Sequence, residues 1–181
     1  MSGRPAVRYT YRDYLSIPED PARRHEIVDG ELHVSAAPRI RHQRVVGNLL
    51  DALRPLARTH GLGEVLPGPV TVHLQDELVL EPDVVFVRRD RMEIVDPEGG
   101  IHGAPDLVVE VLSPSNRAYD RELKRKRYLE SGVPEVWIVD ADERWVEVWT
   151  PGSNDPHRPA EVLEWHVGSE VFRIDVGEVF G

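Results

Sequence analysis

Glu110 interrupts an otherwise apolar run, "PDLVVEVL", from Pro105 to Leu112. A carboxylate inside a segment that reads as buried strand is costly unless a cation or several hydrogen bonds meet it. Two prolyl-aspartates introduce apolar strands, Pro82-Asp83 in "EPDVVFV" and Pro105-Asp106 in "APDLVVEV". Strand side chains alternate, so Asp106, Val108, Glu110 and Leu112 share one face. If the strand after Asp83 lies beside the one carrying Glu110, the two acids converge. Carboxylates that close repel one another unless a cation stands between them. A hard divalent ion takes oxygen ligands, often one or two carboxylates with water and substrate phosphate completing its shell. Such a site activates water and stabilises charge on a phosphate in transfer.

The chain can also supply a cation of its own. The basic stretch from Arg117 to Glu130 reads as a helix, closed by Gly132 and Pro134. Tyr128 is its sheet-facing aromatic, and Lys124 lies one turn earlier on the same face. Lys124 falls roughly 10 Å along the helix axis from Arg117, and Glu110 about 7 Å before Leu112 along the strand. A helix doubling back along that strand brings the ammonium level with Glu110, where it would meet the attacking water or the scissile phosphate. The other polar candidates have plainer readings. Asp106 is a turn former at the head of its strand, Asp120 supports the first helical turn, and Lys126 faces solvent. His42, beside Arg41 and Arg44 at the head of a long helix, could touch a phosphate but reads more simply as an exposed helix-start histidine.

At 181 residues, with 40% hydrophobic and 30% charged residues, the chain is expected to form a single domain over 1–181. It contains no cysteine, which excludes disulfides and thiolate metal sites. Neither an apolar leader nor a run long enough to span a bilayer is present, so the expectation is a cytoplasmic protein without membrane contact. A net charge of -10 argues against a broad nucleic-acid footprint. Three local basic clusters still permit one: Arg39, Arg41 and Arg44; Arg88, Arg89 and Arg91; and Arg117 with Arg121 and Lys124 to Arg127.

The elements needed to position these groups follow from pattern. Thr10 caps a short helix through Leu15, and "HEIVDGELHVS" reads as a hairpin turned at Asp29-Gly30. Apolar residues from Val45 to Ala57 at helical spacing predict a helix over Arg41–His60, ended by Gly61 and Gly63. Strands are expected at Glu64–Leu66, Val70–Leu74, Leu78–Arg88, Leu107–Leu112 and Glu135–Asp140, with alternating antiparallel strands after Arg144. The fold class is therefore α/β or α+β, a mixed β-sheet flanked by helices with a core order of αβββαβ.

Taken together these residues resemble the PD-(D/E)XK, restriction-endonuclease-like nucleases, and more closely the Uma-two family, a large bacterial group described as endonucleases. The resemblance runs through "YTYRDYLSIPED", "HEIVDGEL", His42, "EPDVVFV", "PDLVVEVLSPSN", the spacing of Asp120, Lys124 and Tyr128, and "GVPEVWIVD". It implies a restriction-endonuclease-like core, a Mg2+ ion (with Mn2+ as a substitute) on Asp83 and Glu110, and DNA as substrate. Where the superfamily motif carries Lys, this chain has Leu112, and the resemblance implies that Lys124 supplies the amine instead. It further implies that Asp106 shapes the edge of the site, that Glu26 or Glu31 lies near it, and that "SPSN" forms the turn beneath. Two other readings remain open: a weakly catalytic nucleic-acid-binding or assembly module, and a metal-dependent hydrolase of small phosphate esters. A homodimer formed through the strands after Arg144 is also an expectation.

Overall fold

The structure is a computed structural model, and it describes residues 7–18, 20, 22–113 and 117–181, without the side chain of Asp120. Of the expected "SPSN" turn only Ser113 is described, and its residues 114–116 and the role of Asp120 lie outside the described residues. The chain opens with α1 (Tyr11–Tyr14), whose Thr10 N–H and hydroxyl both donate to Asp13. The hairpin β1 (Arg23–Val28) and β2 (Glu31–Ala36) follows. Asp29 and Gly30 both have positive φ, 52° and 76°, the twisted two-residue turn that Asp-Gly favours.

Helix α2 (Ile40–His60) buries Val45, Val46, Leu49, Leu53 and Ala57 along one stripe. It ends at Gly61, whose left-handed backbone (φ 62°) lets its N–H reach the last carbonyls. Next come β3 (Gly63–Pro67), β4 (Val72–Gln75), β5 (Leu78–Leu80), β6 (Val84–Arg88), the short β7 (Val95–Asp96) and β8 (Gly100–His102), and β9 (Leu107–Val111). A π-helical segment, Tyr119–Lys124, runs into α3 (Arg125–Glu130). β10 (Val136–Asp140), β11 (Trp145–Trp149), the hairpin β12 (Val162–Val167) and β13 (Glu170–Asp175), and α4 (Val176–Phe180) complete the chain.

A five-stranded sheet ordered β11-β10-β9-β6-β3 forms the centre, with β9 and β10 parallel and the other pairs antiparallel. Alternation sends its side chains to two cores. Val84, Phe86, Val109, Val111, Trp137 and Val139 pack towards α2, β12, β13 and α4. Val85, Val108, Leu112 and Ile138 pack with Tyr128 of α3 and with Val28, Val72 and Leu80 of a six-stranded sheet ordered β2-β1-β5-β4-β8-β7. The order α2-β3-β6-β9-α3-β10 matches the expected αβββαβ core.

Two expectations need correction. The strand predicted over Leu78–Arg88 is two strands in two sheets, because Pro82 lacks an amide donor and the chain crosses between the sheets at 81–83. The helix expected from Arg117 is not α-helical throughout: residues 117 and 118 are α-helical, Tyr119–Lys124 is wound wide, and regular α geometry resumes at Arg125.

Candidate active site

The crossing between sheets builds the site. On its way from β5 to β6 the chain turns Glu81 towards β1 and Asp83 towards β9. The Glu81 N–H donates to Glu26 Oε1 at 2.8 Å, and the Asp83 N–H to the Val109 carbonyl at 3.1 Å. The Val111 N–H donates to Asp83 Oδ2 at 2.8 Å, so this side chain extends the β6–β9 ladder by one rung. Asp83 is buried, and its carboxylate is met from two further sides. Arg24 Nη1 donates to Oδ1 at 2.7 Å, and His42 Nε2 lies 3.1 Å from Oδ2. Burial alone would raise its pKa. The His42 contact, the charges of His42 and Arg24 and the Val111 amide outweigh that and hold it below the usual carboxylate range.

Glu110 sits on β9 opposite Ile138 of β10 and faces α3. The Tyr128 hydroxyl donates to Glu110 Oε1 at 2.7 Å, and Lys124 Nζ stands 2.7 Å from the same oxygen. Lys124 also reaches Glu26 Oε1, at 2.8 Å. All four of these side chains are buried. Burial and the neighbouring Glu110 charge push the Tyr128 hydroxyl well above its ordinary range, so it remains a donor at any working pH.

Asp83, Glu110, Glu26, Lys124, Arg24 and His42 line one cavity of about 270 Å³, whose rim is formed by residues 35–39. Ligand pockets usually span about 300–1,000 Å³, so this one lies at the small end and has room for a phosphate group. The structure therefore brings together Asp83, Glu110, Lys124 and Tyr128. Of the two hairpin acids it brings Glu26 to the cavity, while Glu31 is exposed beside the turn. His42 is buried against Asp83, which corrects the reading of an exposed helix-start histidine. Asp106 is at the opposite end of β9 from Glu110. It accepts from the Arg88 amide and from Arg91 Nη1, both at 2.9 Å, which is the strand-head role expected of it rather than a position at the cavity.

Sequence reasoning missed Arg24. Arg24 and Glu26 are two apart on β1 and so share a face, while Ile27 on the other face is fully buried. A glutamate set against buried Ile27 and Val28 was the available signal, the same one that marked Glu110.

The donor chemistry fits a hard divalent ion: carboxylate oxygens from adjacent strands in one cavity, with room for water and phosphate. Among the described residues no group of three or more His, Asp or Glu is placed to hold a metal ion, so an ion on Asp83 and Glu110 would have to draw its other ligands from water and substrate. Charge balance alone does not demand the ion, because Arg24 and Lys124 already sit against the three acids.

The basic clusters behave differently from a phosphate-binding surface. Arg117 pairs with Asp140, Arg121 and Arg158 with buried Glu147, Arg127 with Asp29 and Glu130, and Arg125 stacks 3.7 Å over the Trp149 ring. Arg88 pairs with Asp90, Arg91 with Asp106 and Arg41 with Asp142. Among the described residues, no helix is long and apolar enough to cross a membrane.

A family model described as "Uma2: Putative restriction endonuclease" matches residues 11–176. A solved structure from Anabaena variabilis, described as a "putative nuclease belonging to DUF820", superposes with a TM-score of 0.79. It is 19% identical and covers 94% of this chain and 97% of its own, a likeness of fold. No curated protein matches the chain.

Proposed function

The chain belongs to the Uma2 family, and on that premise we propose that it is a Mg2+-dependent endonuclease that hydrolyses DNA phosphodiester bonds, with Mn2+ as a substitute ion. The observation that carries this reading is the meeting of the buried Asp83, Glu110 and Lys124 in one cavity with room for a phosphate. Asp83 and Glu110 would hold the ion, which when bound supplies Lewis-acid stabilisation of negative charge developing on the phosphate. Lys124, fixed between Glu26 and Glu110, orients the attacking water or donates to a phosphate oxygen. Tyr128 keeps Glu110 aimed at the cavity, and His42 and the Val111 amide do the same for Asp83. Water adds to phosphorus as the ester P–O bond breaks, and the leaving alkoxide takes up a proton.

A second reading, hydrolysis of a small phosphate ester, is favoured by the pairing of the basic helix with the protein's own acids and by the net charge of -10. Incubation with Mg2+ or Mn2+ tests both, using plasmid and single-stranded DNA in one arm and bis(p-nitrophenyl) phosphate in the other. DNA cleavage lost in both E110Q and K124A is the expected result. Variants that cut like the parent would sink the site, and turnover of the small diester without DNA cleavage would select the second reading. A parent that cuts neither substrate yet retards DNA in a salt-dependent way would make the protein a binding module.

A further inference from the structure

Arg24 is a cation held directly on one of the two proposed metal-binding acids, Asp83. Its guanidinium is 2.7 Å from Asp83 Oδ1, only 16% of its side chain is exposed, and the charges of Asp83, Glu110 and Glu26 all act on it. Asp83 has about four lone-pair sites, and Arg24, His42 and the Val111 amide take three of them. A guanidinium and a divalent ion repel, so an ion on Asp83 binds more weakly while Arg24 holds Oδ1. Oδ1 keeps a free lone pair, but a divalent ion gains its full attraction to Asp83 only once the Arg24 charge has moved off that oxygen. The hairpin register shows where it can go. Arg24 is paired with Ser35, and Ser35 to Arg39 line the same cavity with largely exposed residues, so a phosphate entering past them comes within reach of the guanidinium. A planar fork of N–H donors matches two phosphate oxygens as well as it matches a carboxylate.

Resting on the metal-site reading above, we propose that Arg24 couples the two ligands of this cavity: it closes Asp83 to a divalent ion until a phosphodiester at the rim draws it away. Metal and phosphate then bind cooperatively, and by linkage each strengthens the other equally. This makes Arg24 a gate on the resting site and a phosphate ligand in the loaded one, and it keeps the ion from lodging without substrate.

The test is Mn2+ binding to the full chain by calorimetry, with and without dimethyl phosphate, a diester small enough for the cavity. Dimethyl phosphate should tighten Mn2+ binding to the parent by a factor in the range of about 5–150 usual for such coupling. R24A should bind Mn2+ more tightly than the parent on its own and gain nothing from the diester. A bystander arginine gives a different pattern: the diester changes parent and R24A by the same factor, and that result overturns the proposal, as does weaker Mn2+ binding in R24A. R24K keeps a charge on Asp83 but loses the fork, and it decides the matter if R24A does not fold. Coupling in R24K should fall below that of the parent, and equal coupling overturns the proposal. If no variant binds Mn2+ under any condition, the proposal and the two-acid metal site fall together. If the coupling is present and DNA is never cut, the gate stands and the nuclease reading falls.

Discussion

Lys124 meets Glu110 at 2.7 Å, joining the helical segment after β9 to the strand itself. The same ammonium holds Glu26 at 2.8 Å, and all three groups are buried. Removing the cation strands two carboxylates in a low dielectric. K124M should therefore lose about 3–5 kcal/mol of unfolding free energy, read by urea denaturation at neutral pH. Adding E110Q to K124M should recover part of that loss, because one of the stranded charges is gone. Strictly additive losses would mean that the pair is not energetically coupled.

Tyr128 contributes to the same site through one contact. Its hydroxyl lies 2.7 Å from Glu110 Oε1, and the ring is fully buried in the core beside Val108 and Ile138. Y128F keeps the ring and deletes the donor to a charged acceptor. The expected cost is about 1.5–3 kcal/mol, measured by denaturation against the parent. A change indistinguishable from zero would show that Glu110 does not depend on the hydroxyl.

If DNA is the substrate, the phosphates beside the cavity should be met by the unpaired arginines nearest to it. Among the described residues Arg39, which lines the cavity, and the exposed Arg44 carry no ion pair, nor do the exposed Arg12, Arg58 and Arg89, while the basic helix is engaged with Asp140 and Glu147. Binding should weaken with salt, and the R39A/R44A double variant should lower the log–log salt slope by roughly 2, measured by fluorescence anisotropy on a labelled oligonucleotide. R117A should leave the slope unchanged. A slope carried by Arg117 instead would place the DNA on the helix face.

The core and half of the site were legible because both rest on fixed spacings. Strand rise and helix rise together put Lys124 level with Glu110, and alternation along β9 chose the face on which they meet. The wide turns over Tyr119–Lys124 leave no sequence signature, yet they did not disturb the reading, because Lys124 and Tyr128 are separated by one regular turn at the start of α3. Arg24 and His42 were not legible as a pair clamping Asp83, since their convergence depends on how the hairpin sheet leans against the central sheet. No local period encodes that packing. The split of Leu78–Arg88 was missed for a related reason: Pro82 reads equally well as the head of a strand or as a break between two.

Glu147 gives the acid side of the stability profile. Its carboxylate is fully buried on β11 and accepts from Arg121, Arg158 and the Trp149 indole. Burial pushes its pKa up, but the hydrogen bonds from the two arginines and the indole, with the Arg121 charge, bring it below the ordinary value. Between that lowered value and the unfolded one, about 4.3, the unfolded chain holds more protons than the folded one, so stability rises with pH there. The contribution is complete above the unfolded value and disappears as pH falls through the folded one. Both arginines are partly exposed and can regain water, so E147Q should cost only about 1–2 kcal/mol at pH 7. The gap between E147Q and the parent should narrow as pH drops below about 4.3, followed by thermal melts across that window. A gap that stayed constant or widened in acid would show that Glu147 is not ionised in the folded protein.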